Sequence, residues 1–217
     1  MSRSALRADA ARNRQALVRA ARAVFGERGL DAPLDEIARR AGVGNATLYR
    51  RFPHRCELVA AVFADTLQDV VDCADRALRH PDPWTGFADY VEFLCAQQAA
   101  DRGLADLLIT AMPGVPELEV LRQRAAEGFE QVADRAKGAG ALRTDFAVED
   151  LVLVLMANAG LAHRTAADAQ VASRRLLSYL LDGLRASAAT PAAPSPGRAA
   201  VARAMTELGR EFGVCQS

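Results

Sequence analysis

Apolar residues recur at helical spacing along most of this chain, and no alternating run is long enough to make a strand. Over residues 9–28, Leu17, Ala21, Val24 and Phe25 share one face, and Gly29 closes the predicted helix. Leu34, Ile37, Ala38 and Ala41 fall at i, i+3, i+4 and i+7 and predict a helix of about two turns. Pro33 suits its first position. Asp35 and Glu36 open it and Arg39 and Arg40 end it, in agreement with the helix dipole. Gly42 is the expected stop, Val43 an inward plug, and Asn45 the expected cap of a second short helix over 46–52. There Leu48 and Phe52 face inward. Thr47, Tyr49, Arg50 and Arg51 face outward, and Pro53 ends the run.

Longer patterns follow. Residues 56–79 carry Leu58, Val62, Leu67, Val70, Val71 and Ala74 on one side, up to the stop at His80-Pro81-Asp82-Pro83. Further helices are predicted over 84–100, broken by Gly103; over 104–112, closed by Pro113-Gly114; and over Pro116–Gly138, Val148–Thr165 and 168–186. The proline-rich stretch 188–197 reads as a linker. A last amphipathic helix over 198–212 places Val201, Met205, Leu208 and Phe212 on one side, free either to fold back on the body or to stay mobile. Residues 1–7 read as a loose basic arm. The expected fold is all-α: a three-helix helix-turn-helix domain over 1–55, a helical bundle over 56–187, and an extension over 188–217.

Charge sharpens this division. The 217 residues carry no net charge, but residues 1–55 hold twelve Arg against five Asp or Glu, and the rest carries the opposite excess. A basic head on an acidic body is the footprint of a DNA-binding domain joined to another function. Hydroxyls and arginines on a short outward helix face suit phosphate and base-edge contacts.

The run IARRAGVGNATLYRRFPHRCELVAAVF resembles the DNA-binding signature of the TetR family of bacterial transcriptional regulators. The strong match covers about the first quarter of the chain; the rest agrees in helical layout. It departs from the family at Gly44 and Pro33, where serine and threonine commonly offer hydroxyls to phosphate, and it keeps the family's basic charge at Arg55. The resemblance implies that Gly44, Asn45, Thr47, Tyr49, Arg50 and Arg55 approach double-stranded DNA. Tyr49 and Arg55 match phosphate-contacting positions, and Arg50 and Asn45 are the candidates for base edges.

The resemblance also implies a homodimer and an effector cavity in the body. Trp84, Phe87, Tyr90 and Phe93 concentrate aromatic side chains within ten positions, and the family layout would bring Met112, Phe129 and Met156 near them. Asn158 and His163 are polar groups in or just after an apolar helix, able either to orient a ligand or to bond neighbouring backbone. Aromatics and methionines at this spacing equally describe plain core. Leu153, Leu161, Leu176, Leu180 and Leu184 are candidate dimer-interface residues on the last two body helices, or else part of the monomer's own centre.

No catalytic constellation, phosphate loop, dinucleotide fingerprint or metal-ligand spacing stands out, so no enzyme, cofactor or metal is expected. Glu149 and Asp150 fit a helix start. Cys56, Cys73, Cys95 and Cys215 read as reduced thiols. The chain shows neither an apolar leader nor a membrane span, and a cytoplasmic location is expected. The function expected is a repressor released from a palindromic operator by an unknown small molecule. The alternatives are a DNA-binding regulator controlled by a partner or by redox state, and a helical small-molecule enzyme.

Overall fold

The computed structural model describes residues 3–112 and 115–213. Within them the chain forms ten α-helices and no strand: α1 Arg3–Arg28, α2 Leu34–Arg40, α3 Asn45–Arg51, α4 Arg55–Arg79, α5 Pro83–Ala100, α6 Arg102–Ile109, α7 Pro116–Gly138, α8 Val148–Thr165, α9 Ala169–Leu184 and α10 Arg198–Glu211. The helix expected from residue 9 already runs from Arg3, so residues 3–7 are not a loose arm; Met1 and Ser2 lie outside the described residues, as do Pro113, Gly114 and Cys215.

The head is built as its periodicity implies. Leu17, Ala21, Val24 and Phe25 of α1 are fully buried against Ile37, Ala38, Leu48 and Phe52. Gly42 makes the turn between α2 and α3 at φ +69°, a conformation open to glycine at no steric cost. Two caps differ from expectation. Pro33 is the cap of α2 and not its first residue, and Gly44 caps α3, which moves Asn45 into the helix. Neither cap supplies a side-chain bond, so these ends rely on packing and backbone.

The long helix α4 is the rod of the molecule. Its first half, through Leu58, Val59, Val62, Phe63 and Leu67, belongs to the hydrophobic cluster of the head. Its second half, through Val70, Cys73, Ala74 and Ala77, belongs to the cluster of the body. The head cluster also takes in Leu104 and Leu107 of α6, Met112, and Val115 and Leu118 at the start of α7. Head and body therefore share packing beyond the single rod.

Pro83 does not merely stop α4; it occupies the first turn of α5, where Asp82 caps by accepting from Thr85 N at 3.0 Å. Gly103 does not break the next pair of helices either. Asp101 does, ending α5 and capping α6 through Leu104 N at 2.8 Å, while Gly103 is buried inside α6. A Cβ at residue 103 would lie 2.9 Å from both Phe25 Cβ and Phe63 Cζ, so the glycine lets α6 press against the head. Helices α7 and α8 have the bounds expected. At the start of α8, Asp150 Oδ2 accepts from Ala147 N at 2.8 Å. A short 3-10 turn over Ala166–Asp168 precedes α9.

The extension folds back. Val201 and Gly209 of α10 are buried, Leu208 packs on the body cluster and Phe212 on the head cluster. Ala111 N donates to Met205 O at 3.0 Å, and Arg198 pairs with Glu149 at 3.2 Å. Among the described residues no helix is long and apolar enough to cross a membrane.

Candidate nucleic-acid interface

Leu48 and Phe52 anchor α3 by burial, which turns its other sides outward. Gly44, Asn45, Tyr49, Arg50 and Arg51 are exposed, and Thr47 is half-buried. Tyr49, at 53% exposure, is a large side chain with an unused apolar surface. Arg50 Nη2 donates to Thr47 Oγ1 at 3.0 Å, which couples two predicted contact residues on one side of the helix.

Nearby arginines divide into two sets. Arg40 forms a forked pair with Glu27 at 2.8 and 3.0 Å and also meets Glu36 at 3.2 Å; Arg28 pairs with Glu36. Their charge is spent on joining α1 to α2. Arg39, Arg50 and Arg51 make no ion pair with a described residue and leave a net positive surface around α3. Arg14 stacks its guanidinium over Phe52, 5.3 Å from the ring centre.

Arg55 is placed differently from the others. Its Nη1 donates to Leu30 O at 2.7 Å and to Ala32 O at 2.6 Å, tying the start of α4 to the loop between α1 and α2. Burial pulls its guanidinium below the ordinary arginine range, against the opposing influence of Asp31 and Tyr49. It is thus half-buried, with a structural task of its own.

In the body, Trp84, Phe87 and Tyr90 come together with Phe129, the neighbour that the family layout implied. Ring centres lie 5.7 Å apart for Trp84–Phe87, 5.9 Å for Phe87–Phe129 and 5.3 Å for Tyr90–Phe129. Phe146, which the sequence pattern did not single out, packs edge-on to Phe87 at 5.6 Å. Phe93 and Met156 are half-buried against the larger body cluster that contains these rings. Met112 is not in it: it is buried in the head cluster, with Leu104 and Leu107. Asn158 is buried and fully engaged. Its amide donates to Cys95 O at 3.1 Å and Gln98 Oε1 at 2.9 Å, and its oxygen accepts from Ser173 Oγ at 2.6 Å. This network joins α5, α8 and α9. Beside it, a cleft of about 470 Å³ between α5 and α9 is lined by Glu92, Cys95, Ser173, Arg174 and Leu177.

Cys56, Cys73 and Cys95 are buried free thiols. Burial raises Cys73 and pushes Cys95 up to about 12, which disfavours the thiolate that redox chemistry needs.

On the outer side of α8 and α9, Leu153 is 42% exposed, and Leu161, Leu176, Leu180 and Leu184 are half-buried. Leu184 leans on the body cluster. Tyr179, 59% exposed, lies on the same stripe as Leu176 and Leu180. The sequence reading passed over it, although an aromatic at i+3 from Leu176 on a helix with a buried opposite face was the available signal.

A glycine-turned helix pair, with hydroxyls and unpaired arginines on its outward helix and a separate helical body behind it, defines a helix-turn-helix DNA-binding regulator. Residues 17–62 match the model for bacterial regulatory proteins of the tetR family, and residues 82–186 match that for the C-terminal domain of SbtR-like transcriptional regulators. The chain is 33% identical to the TetR transcriptional regulator SCO0520 from Streptomyces coelicolor, with 79% of this chain and 98% of that one covered at a TM-score of 0.51. It belongs to the TetR family. It is also 30% identical over 128 residues to the HTH-type transcriptional repressor LfrR of Mycolicibacterium smegmatis, a match over 58% of this chain that spans 65% of the repressor's length. FadR from Bacillus subtilis shares the fold at 14% identity, covering 78% of this chain and 98% of that one, with a TM-score of 0.54.

Proposed function

We propose that this regulator is a homodimeric cytoplasmic repressor that binds a palindromic operator and leaves it when a small molecule enters the body. The observation that carries the DNA-binding half is α3: a short helix anchored by Leu48 and Phe52 that presents Asn45, Thr47, Tyr49 and Arg50 to solvent. Similarity to the repressor LfrR supports the direction of control. The outward apolar stripes of α8 and α9 support an isologous pairing of two helices from each subunit. Such a dimer reads a two-fold site because each head reads one half.

The effector seat is the part of the body where half-buried Phe93 and Met156 pack on the core cluster that also holds Trp84, Phe87, Tyr90 and Phe129. The α5–α9 cleft, lined by Cys95 and Ser173, is an open space that this body offers a ligand. Asn158 shapes this region through its bonds to both helices and does not need to meet the ligand itself.

Selection of bound sequences from a randomised duplex library, followed by anisotropy titration of the winning site, tests this reading. The expected result is a two-fold motif bound by one dimer, with binding reversed by a member of a metabolite and drug panel. A non-palindromic motif bound by a monomer overturns the dimeric reading. Binding that no compound in a broad panel reverses favours control by a partner protein.

A further inference from the structure

Three separate segments meet at Asp106: the end of α1, helix α6 itself, and the end of α8. The carboxyl is 2% exposed within the otherwise apolar run LADLLI. A carboxyl in such a place costs stability unless its oxygens are engaged. Asp106 Oδ2 accepts from Leu30 N, just past α1 in the DNA-binding head, at 2.8 Å. Gly29 makes the approach possible. It sits at φ +97°, and a Cβ there would lie 2.6 Å from Asp106 Oδ2.

The other oxygen faces the body. Asp106 Oδ1 lies 3.4 Å from His163 Nε2, and neither of these two buried atoms has another hydrogen-bond partner among the described residues. An oxygen lone pair against a nitrogen lone pair repels. One proton on either atom turns the contact into a hydrogen bond. We propose that Asp106 and His163 form a one-proton clasp that fixes the DNA-binding head against the body, so that operator affinity follows the protonation of this pair. Both are positioning residues, since they lie away from the DNA-facing side chains, and the clasp rests on the reading of the chain as an operator-binding regulator.

The charged groups around the pair are few. Asp31 faces it from the loop after α1, and Asp101 and Arg102 from the α5–α6 junction. Arg22 of α1 is engaged with Asp101, and Arg102 Nη2 donates to His163 O at 3.0 Å. Burial pushes Asp106 up to about 7 against the pull of the Leu30 N–H, and burial followed by Arg102 lowers His163. Burial thus disfavours charge on both groups, and the proton-bearing form of the pair is an uncharged acid hydrogen-bonded to an uncharged imidazole. Above neutrality the proton leaves, and a dry carboxylate faces an imidazole lone pair. The tie from α8 to α6 then opens; the Leu30 N–H still holds the carboxylate, but the head is no longer anchored through Asp106 to α8. A preorganised head binds more tightly than a loose one because less motion is lost on binding. Affinity should accordingly fall as pH rises.

Asp106→Asn is the informative variant. Its amide oxygen can accept from Leu30 N while its NH2 donates to His163 Nε2, the pattern of the protonated acid made permanent. His163→Phe keeps the ring and removes the acceptor. Operator affinity is measured by anisotropy from about pH 6 to about pH 8.5, and the Leu30 amide is followed by NMR without DNA over the same range. Wild type should lose about fivefold in affinity across the range, with the Leu30 amide shift titrating near neutrality. Asp106→Asn should bind at the low-pH wild-type level throughout, and His163→Phe at the high-pH level throughout. A merely structural role would weaken both variants and leave the wild-type slope in each. Such a retained slope in Asp106→Asn overturns the clasp, as does a wild-type Leu30 amide that does not titrate. Absence of sequence-specific DNA binding at every pH, with the amide still titrating, overturns the regulator reading and not the proton-bearing pair.

Discussion

Arg50 reaches back one turn along α3 and donates to Thr47 Oγ1 at 3.0 Å, so the guanidinium is steered before DNA arrives. Its remaining donors point from an exposed helix face and suit the paired acceptors of a guanine edge. Arg50→Ala is expected to cost about 1–3 kcal/mol on the operator and to relax preference at one base position. Tyr49→Phe removes only a hydroxyl at a position expected to contact phosphate and should weaken all sequences alike. Competition titrations with operator and random duplex distinguish the two. Equal losses on both DNAs for Arg50→Ala would take it out of the base-reading set.

Arg55 should behave as a fold residue first. Arg55→Ala strips the donor from two loop carbonyls, Leu30 and Ala32. A loss of about 2 kcal/mol in urea unfolding is expected, and Arg55→Lys should recover only part of it because an ammonium lacks the guanidinium's fixed fork. A variant with unchanged unfolding but weakened DNA binding would return Arg55 to the phosphate-contacting set.

Arg55 also marks where the sequence stopped being informative. Its basic charge after the recognition helix was plain, but its inward direction depends on the α1–α2 loop folding back beneath it, and no local pattern encodes that. The helices themselves were legible because an apolar stripe at 3.6-residue spacing is a local property; Pro116–Gly138 and Val148–Thr165 needed nothing else. Caps were less so. Asp101 acts as a breaker through a local cap bond to Leu104 and a long-range pair with Arg22, whereas Gly103 merely looks like one. Met112 shows the same limit: a methionine fits either apolar cluster, and tertiary packing chose the head. Asp106 was readable as an acid in an apolar helix, but its partners lie far away in sequence, at Leu30 and His163.

The dimer proposed above depends on side chains that the single chain leaves uncovered. Leu176, Tyr179 and Leu180 lie along one side of α9, with Leu153 exposed on α8. Leu180→Asp would place a carboxylate at the centre of an apolar contact. The expected cost is about 2 kcal/mol or more, roughly thirtyfold in the dimer dissociation constant. Light scattering at micromolar concentration should show a dimer for wild type and a monomer for the variant, with helical content unchanged. A wild-type chain that scatters as a monomer removes the dimer and the palindrome together.

Two heads on one dimer must set their recognition helices about 34–36 Å apart to meet successive major grooves. Helix α4 spans both hydrophobic clusters, so a tilt of its body half moves the head it carries. A small molecule beside Phe93 and Met156 shifts that tilt only to the extent that it binds the released arrangement better than the DNA-bound one. By linkage, operator must weaken the effector by the same factor that effector weakens operator. Phe93 is half-buried against the body cluster, and Phe93→Trp adds bulk there, away from α3. The variant should bind operator within about twofold of wild type while losing release by about tenfold or more in effector concentration. Paired calorimetric titrations of the released compound, with and without operator, decide the mechanism. Equal effector affinities in the two titrations would show that the compound does not distinguish the two arrangements, and release would then have to come from direct competition for the DNA-binding face.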